Sequence, residues 1–112
     1  MGKINSRDKG CRGEREWAHF LTDHGFPAYR GQQFQGGSDS PDVVCADLDY
    51  LHFEVKRTEK ISLYKAMKQA ISDSDFPQIP IVAHRRNNQD WLVIMRAEEF
   101  LHLVRKEKAS LL

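Results

Sequence analysis

The sequence has no long apolar run. None of its hydrophobic stretches approaches the ~20 residues of a membrane-spanning helix. Its first residues are polar and lack the apolar core of a secretory signal. Together these point to a cytoplasmic protein with no membrane contact. "MGKINS" does match the loosely specified N-myristoylation pattern, a six-residue match that chance often supplies. Cysteine is scarce as well. Cys11 and Cys45 show neither metal-ligand spacing nor a disulfide framework. Free thiols fit a reducing compartment. There is no internal repeat and no low-complexity linker. A chain of 112 residues with 40% hydrophobic content is one domain with one core.

The chain also has little net charge, only +1, but the charges are segregated. Residues 1–15 carry five basic groups against two acids. Residues 16–55 carry Arg30 alone against seven acids, and residues 56–112 carry eleven basic groups against seven. An acidic centre between basic ends can collect divalent metal while the flanks hold a polyanion. Ordinary surface charge gives the same picture, and charge alone does not decide between them.

Residues 1–11 read as a polar, basic, flexible arm. From Arg12 to His24, Trp17, Ala18, Phe20 and Leu21 follow helical spacing, and Gly25 and Pro27 end the helix. "PAYRGQQF" reads as a strand and "QGGSDSP" as a loop. Residues 42–46 and 50–57 read as two strands. Ser62 is placed to cap a helix over 63–73, with Leu63, Ala66, Met67, Ala70 and Ile71 as its buried stripe. "IVAH" and "WLVIM" are strands flanking the polar turn "RRNNQD". A last helix is expected from Ala97 to Lys106, with Phe100, Leu101 and Val104 facing inward. The order is α-β-β-β-α-β-β-α, an α/β domain with a central mixed sheet flanked by helices. Every apolar residue finds a place in the core, and none is left over for an interface.

The chemistry concentrates in "PDVVCADLDYLHFEVKR" (41–57). Side chains on a strand alternate faces. Leu51, Phe53 and Val55 therefore share one face, and His52, Glu54 and Lys56 the other. A hairpin centred on Asp47–Asp49 would put Asp42 opposite Glu54, about 5 Å away. A three-residue loop usually ends in Gly, and none is present. Glu14 opens the first helix on its core-facing stripe, with Trp17, Ala18 and Leu21 at i+3, i+4 and i+7. Glu16 lies about 200° round the helix, toward His19 and Asp23. Three hard oxygen donors and a lysine suit Mg²⁺-assisted phosphodiester hydrolysis. The metal offsets charge on the phosphate, and the lysine orients or deprotonates water and stabilises developing charge. A surface cluster on a half-exposed sheet is the bland alternative.

At these residues the sequence resembles the PD-(D/E)xK nucleases: Pro41 and Asp42 in "SPDVV", Glu54 and Lys56 in "FEVK". More narrowly it resembles the archaeal-type Holliday junction resolvases and their phage and prophage relatives. "KGCRGERE" (9–16) resembles that family's opening helix, and "HGFPAYRGQQFQGGSDSPDVV" (24–44) its strand, loop and metal-binding strand. "EVKRTEKISLYKAMKQA" (54–70) resembles its E-x-K strand and following helix, and "PIVAHRRNNQDWLVIM" (80–95) its closing hairpin. The resemblance implies a restriction-endonuclease-like fold over residues 12–112 and a Mg²⁺-dependent endonuclease, with Mn²⁺ as substitute. It implies a homodimer that cuts branched DNA such as a four-way junction. Asp42, Glu54, the Val55 carbonyl and Glu14 would bind metal, and Lys56 would act on the water. Gln69 matches a glutamine near the site in many such nucleases.

For DNA contact the candidates are Lys9, Arg12, Arg15, Arg30, Arg57 and Lys65. A tail or solvated-face role is the alternative for each lysine and for the arginines of the first helix. His52 reads as a packed histidine rather than a ligand, and Trp17 and Trp91 as core. Asp39, Ser38 and Ser40 read as loop residues, and Arg85, Arg86 and Asn87 as a hairpin tip that could reach DNA. Two other functions remain open. One is a nuclease of this fold acting in restriction, repair or packaging. The other is a non-catalytic DNA-binding module.

Overall fold

The computed structural model describes residues 6–31 and 42–111. Its elements are α1 (Ser6–Asp23), β1 (Tyr29–Arg30), β2 (Val43–Val44), a 3-10 turn at Ala46–Leu48, β3 (Leu51–Arg57), α2 (Leu63–Asp73), β4 (Ile79–Arg85), β5 (Leu92–Ile94) and α3 (Ala97–Ser110). The class is α/β, in the expected order. The "QGGSDSP" loop, with Ser38, Asp39, Ser40 and Pro41, lies outside the described residues.

Helix α1 begins six residues earlier than its apolar spacing suggests, reaching into the stretch expected as an arm. Its first two turns run "SRDKGC", where periodicity has almost nothing apolar to register. The helix ends as predicted. Gly25 takes a left-handed φ of 92°. Its N–H donates to the Thr22 carbonyl at 3.0 Å, and the Phe26 N–H to the Leu21 carbonyl at 2.9 Å. This is the paired closure that glycine permits at a helix C-terminus.

Strands β3 and β4 pair in parallel from Leu51↔Ile79 to Arg57↔Arg85. Parallel neighbours need a crossover, and α2 supplies it. β5 joins the far side of β4, antiparallel, at Val82↔Ile94. The expected β2–β3 hairpin is not formed. β2 instead pairs antiparallel with β1, Tyr29↔Val44 and Arg30↔Val43. The 3-10 turn at Ala46–Leu48 replaces the tight loop that the missing glycine would have required. β3 thereby leaves β2 and pairs with β4.

Two helices cover the two faces of the sheet. Trp17, Ala18 and Leu21 of α1 pack with Phe53, Ile79, Ile81 and Ala83 on one face. Trp91 joins this cluster, its ring 5.0 Å from that of Trp17. Ala66, Met67 and Ala70 of α2 pack with Val82 on the other face. The stripe of α2 is narrower than expected, since Leu63 and Ile71 remain partly exposed. α3 departs further from expectation. None of its residues is buried. Phe100, Leu101 and Val104 are 52%, 48% and 45% exposed, while Leu103, not expected to face inward, packs against the main core. One residue of rotation on a short amphipathic helix is enough to move the inward stripe to its outer flank.

Helix α1 can lie close to β3 because of Gly13. A Cβ there would sit 2.7 Å from the Cβ of Arg57 and 3.6 Å from Cγ1 of Val55. Gly10, one turn earlier, has open space around it. The two glycines therefore separate helix propensity from packing. Gly10→Ala should stabilise the protein by about 0.5–1 kcal/mol, since alanine is the better helix former. Gly13→Ala should destabilise it by about 1–3 kcal/mol, because the new methyl meets backbone-proximal atoms. Urea unfolding of the two variants checks this, and equal effects of one sign would refute the close approach.

Candidate active site

Glu14 follows Gly13 on α1, so the close approach of the helix also carries this carboxylate to the sheet. Arg30 of β1 reaches back to it, Nε to Oε1 at 3.0 Å. The Gly31 N–H donates to the Asp42 carbonyl at 2.9 Å, extending the β1–β2 pairing to the residue that bears the next acid. The Asp42 carboxylate lies within hydrogen-bonding reach of Glu14. Burial first, and then Asp42, push the Glu14 carboxyl up to about 7, while the hydrogen bond and charge of Arg30 pull it back. Two carboxylates side by side resist double ionisation, and desolvation adds to that resistance.

Glu54 lies on the α2 face of β3 and is only 4% exposed. Burial raises its carboxyl above the ordinary range, Lys56 opposes the shift, and Asp42 and then Asp73 add to it. Its Oε1 meets Lys56 Nζ at 3.4 Å. Its Oε2 is buried without a hydrogen-bond partner. Lys56 Nζ donates to Gln69 Oε1 on α2 at 3.1 Å. Asp42 thus stands electrostatically between Glu14 and Glu54, brought there through β1 rather than across the predicted hairpin.

The sequence candidates divide clearly. Glu14, Asp42, Glu54, Lys56 and Gln69 come together, and Val55 lies between Glu54 and Lys56 with its side chain half-buried on the α1 face. Arg30 is paired with Glu14. Arg57 points away from the acids, toward α1 and the β4–β5 turn. Its Nε donates to Glu16 at 3.1 Å, and its Nη2 to Asn87 Oδ1 at 3.0 Å. Arg85 also binds Glu16. Arg12, Arg15 and Lys65 are exposed, and the side chain of Lys9 lies outside the described ones. His52 shares the Glu54 face with a buried, unpartnered Nε2. Two residues were missed. Asp73 stands one helical turn beyond Gln69, and that i, i+4 spacing was a signal in plain view. Glu16 clamps α1 to two arginines. Strand alternation puts Arg57 on the same face as Val55 and so on the α1 side.

Among the described residues, no group of three or more His, Cys, Asp and Glu side chains stands close enough together to hold a metal ion. The chemistry of the donors nevertheless suits a hard divalent cation. They are carboxylates, their charges repel one another, and one buried oxygen has no donor. A cation would relieve all three conditions.

The model of the archaeal Holliday junction resolvase (Hjc) family matches residues 5–109 of the chain. No individually curated protein gives a significant match. The chain belongs to the Hjc family, a family of endonucleases acting at Holliday junctions.

The raised carboxyl of Glu14 has a thermodynamic consequence. Between about 4.5 and about 7 the folded protein holds a proton that the unfolded chain has released. The stability this group contributes is full below the lower value and is lost as pH rises through the upper one. Glu14→Gln keeps the neutral form at every pH. Measured in EDTA, its stability relative to wild type should increase between pH 4.5 and 7 and then level off. The plateau should be of order 2 kcal/mol, less than the full shift because of screening. Urea unfolding at a series of pH values tests this, and a difference that is flat or narrows with pH would contradict it.

Proposed function

We propose that this Hjc-family chain is a Mg²⁺-dependent endonuclease that resolves branched DNA as a homodimer, with Mn²⁺ able to replace Mg²⁺. The observation that carries the reading is the chain of coupled groups Glu14, Asp42, Glu54 and Lys56. It combines a buried acid and two partly buried ones with a lysine held by Glu54 and Gln69. Structural scaffolding alone would favour apolar residues at such positions. The resemblance of the closing hairpin to phage-encoded members extends the reading to a phage or prophage source acting in the host cytoplasm.

Asp42 and Glu54 would hold the metal, with the Val55 carbonyl and Glu14 completing its surroundings. When bound, the ion supplies charge neutralisation at the scissile phosphate and a more acidic water. The remaining work falls to side chains. Lys56 is aimed by two acceptors, Glu54 Oε1 and Gln69 Oε1. Its ammonium can orient the attacking water and stabilise charge that develops on a phosphate oxygen. Gln69 keeps the lysine from folding back fully onto Glu54. Arg30 holds Glu14 toward Asp42 and favours its ionised form, a role closer to the chemistry than simple phosphate contact. Arg12, Arg15 and Lys65 are exposed and would take phosphates. Such contacts supply affinity without sequence preference. Arg57 is engaged by Glu16, so its removal should cost stability more than DNA affinity.

The test is cleavage of a labelled four-way junction with Mg²⁺ and with EDTA. Wild type should give paired, symmetric nicks that need the metal. Lys56→Ala should lower kcat by roughly 10²-fold or more while leaving junction binding nearly unchanged. Gln69→Ala should lose about tenfold by the same route. Equal cutting of linear duplex would keep the chemistry and remove the junction assignment. Binding without any cutting would remove both.

A further inference from the structure

Helix α3 is amphipathic, yet none of its residues is buried within the chain. Ala97, Phe100, Leu101 and Val104 recur at helical spacing and form one stripe. The three large ones are about half exposed, and Leu111 extends the stripe with 78% exposure. Leu103 alone anchors the helix to the main core, from a neighbouring side. Just upstream, β5 is the last strand of its sheet, hydrogen-bonded only to β4 among the described residues. Its Leu92 and Val93 are also more than half exposed. An open edge strand and an exposed apolar helix stripe are each features that proteins normally cover.

The charges on α3 say what covers it. Glu98 and Arg105 lie seven residues apart, two helical turns, on the same flank of the stripe. Both are exposed. If two copies of α3 cross antiparallel about a two-fold axis near Leu101 and His102, Glu98 of each faces Arg105 of the other. The same axis centres Leu101 and lays Phe100 of each copy beside Val104 of the other. Antiparallel two-fold packing brings like flanks together, so this complementarity is built into a single sequence. The helix is roughly 21 Å long, and its apolar stripe runs most of that length.

We propose that α3, with the exposed edge of β5, is the surface on which a second copy of this chain docks. The α3 helices pair antiparallel, and the Glu98–Arg105 flanks select that pairing. The inference rests on the dimeric junction-cutting reading and gives it a location. Two copies joined through α3 carry two sites related by the same two-fold axis, the arrangement that paired symmetric cuts demand.

The test is charge reversal on full-length protein, read by sedimentation equilibrium and by junction cleavage. Glu98→Arg places arginine against Arg105, and Arg105→Glu places glutamate against Glu98. Each single variant should weaken dimerisation by about tenfold or more and replace paired cuts with single nicks. The double variant, Glu98→Arg with Arg105→Glu, should restore both, since the pairs are opposite in sign again. Circular dichroism of the singles should remain that of wild type, because both residues are exposed. Singles that dimerise like wild type, or a double variant that stays monomeric while folded, overturn the inference but leave the dimeric reading intact. A wild-type protein that is monomeric while making paired cuts overturns the dimeric reading itself.

Discussion

A carboxylate at 4% exposure in the middle of a strand needs compensation, and much of this fold is arranged around Glu54. The acid lies on a strand covered on both faces, by α1 and by α2. Lys56, two residues along the same face, supplies a positive charge, and Gln69 on α2 holds that charge in place. The compensation is incomplete. The carboxyl remains raised and one of its oxygens has no donor. Burying a charge without full pairing costs several kcal/mol in ordinary circumstances. Such a residue is tolerated where a ligand completes it, which in the proposed reading is a divalent cation.

The second acid group reaches Glu54 by a longer structural route. Gly13 lets α1 descend onto Val55 and Arg57, and Glu14 descends with it. The β1–β2 pair then fixes Arg30 and Asp42 around Glu14. On the far side of the helix, Glu16 binds Arg57 and Arg85 and so holds α1 against the ends of β3 and β4. Successive acids on one helix have opposite effects. Glu16 is satisfied by two arginines and stabilises the packing, while Glu14 is crowded by another acid and is costly until a proton or a cation arrives.

Much of this was legible from residue order. Helix and strand patterns located each described helix and strand but not the 3-10 turn, because Trp17, Ala18 and Leu21, or Phe53 and Val55, are bound to bury one face. The placement of Glu14 against the sheet followed from an acid on that stripe. Pairing was not legible in the same way. A strand pattern states which residues share a face but not which strand lies beside it, so β2 was assigned to β3 when it belongs to β1. The start of α1 was hidden because its first turns have few apolar residues. The outer stripe of α3 was misread for a complementary reason. An apolar face says that something will cover it, and the sequence pattern is the same whether the cover is the chain's own core or a second copy. The clamp on Arg57 was missed because its partners, Glu16 and Arg85, are 41 and 28 residues away.

Burial and neighbouring acids raise the Glu14 and Glu54 carboxyls, a strain that in the proposed reading a divalent cation relieves. Calorimetric titration of Mn²⁺ into the DNA-free protein near pH 7, repeated in buffers of different ionisation enthalpy, tests it most directly. Binding should give an apparent heat that varies with the buffer, showing release of a substantial fraction of a proton, with most of that release lost in Glu14→Gln. Binding with no buffer dependence, or no binding at all, would contradict it.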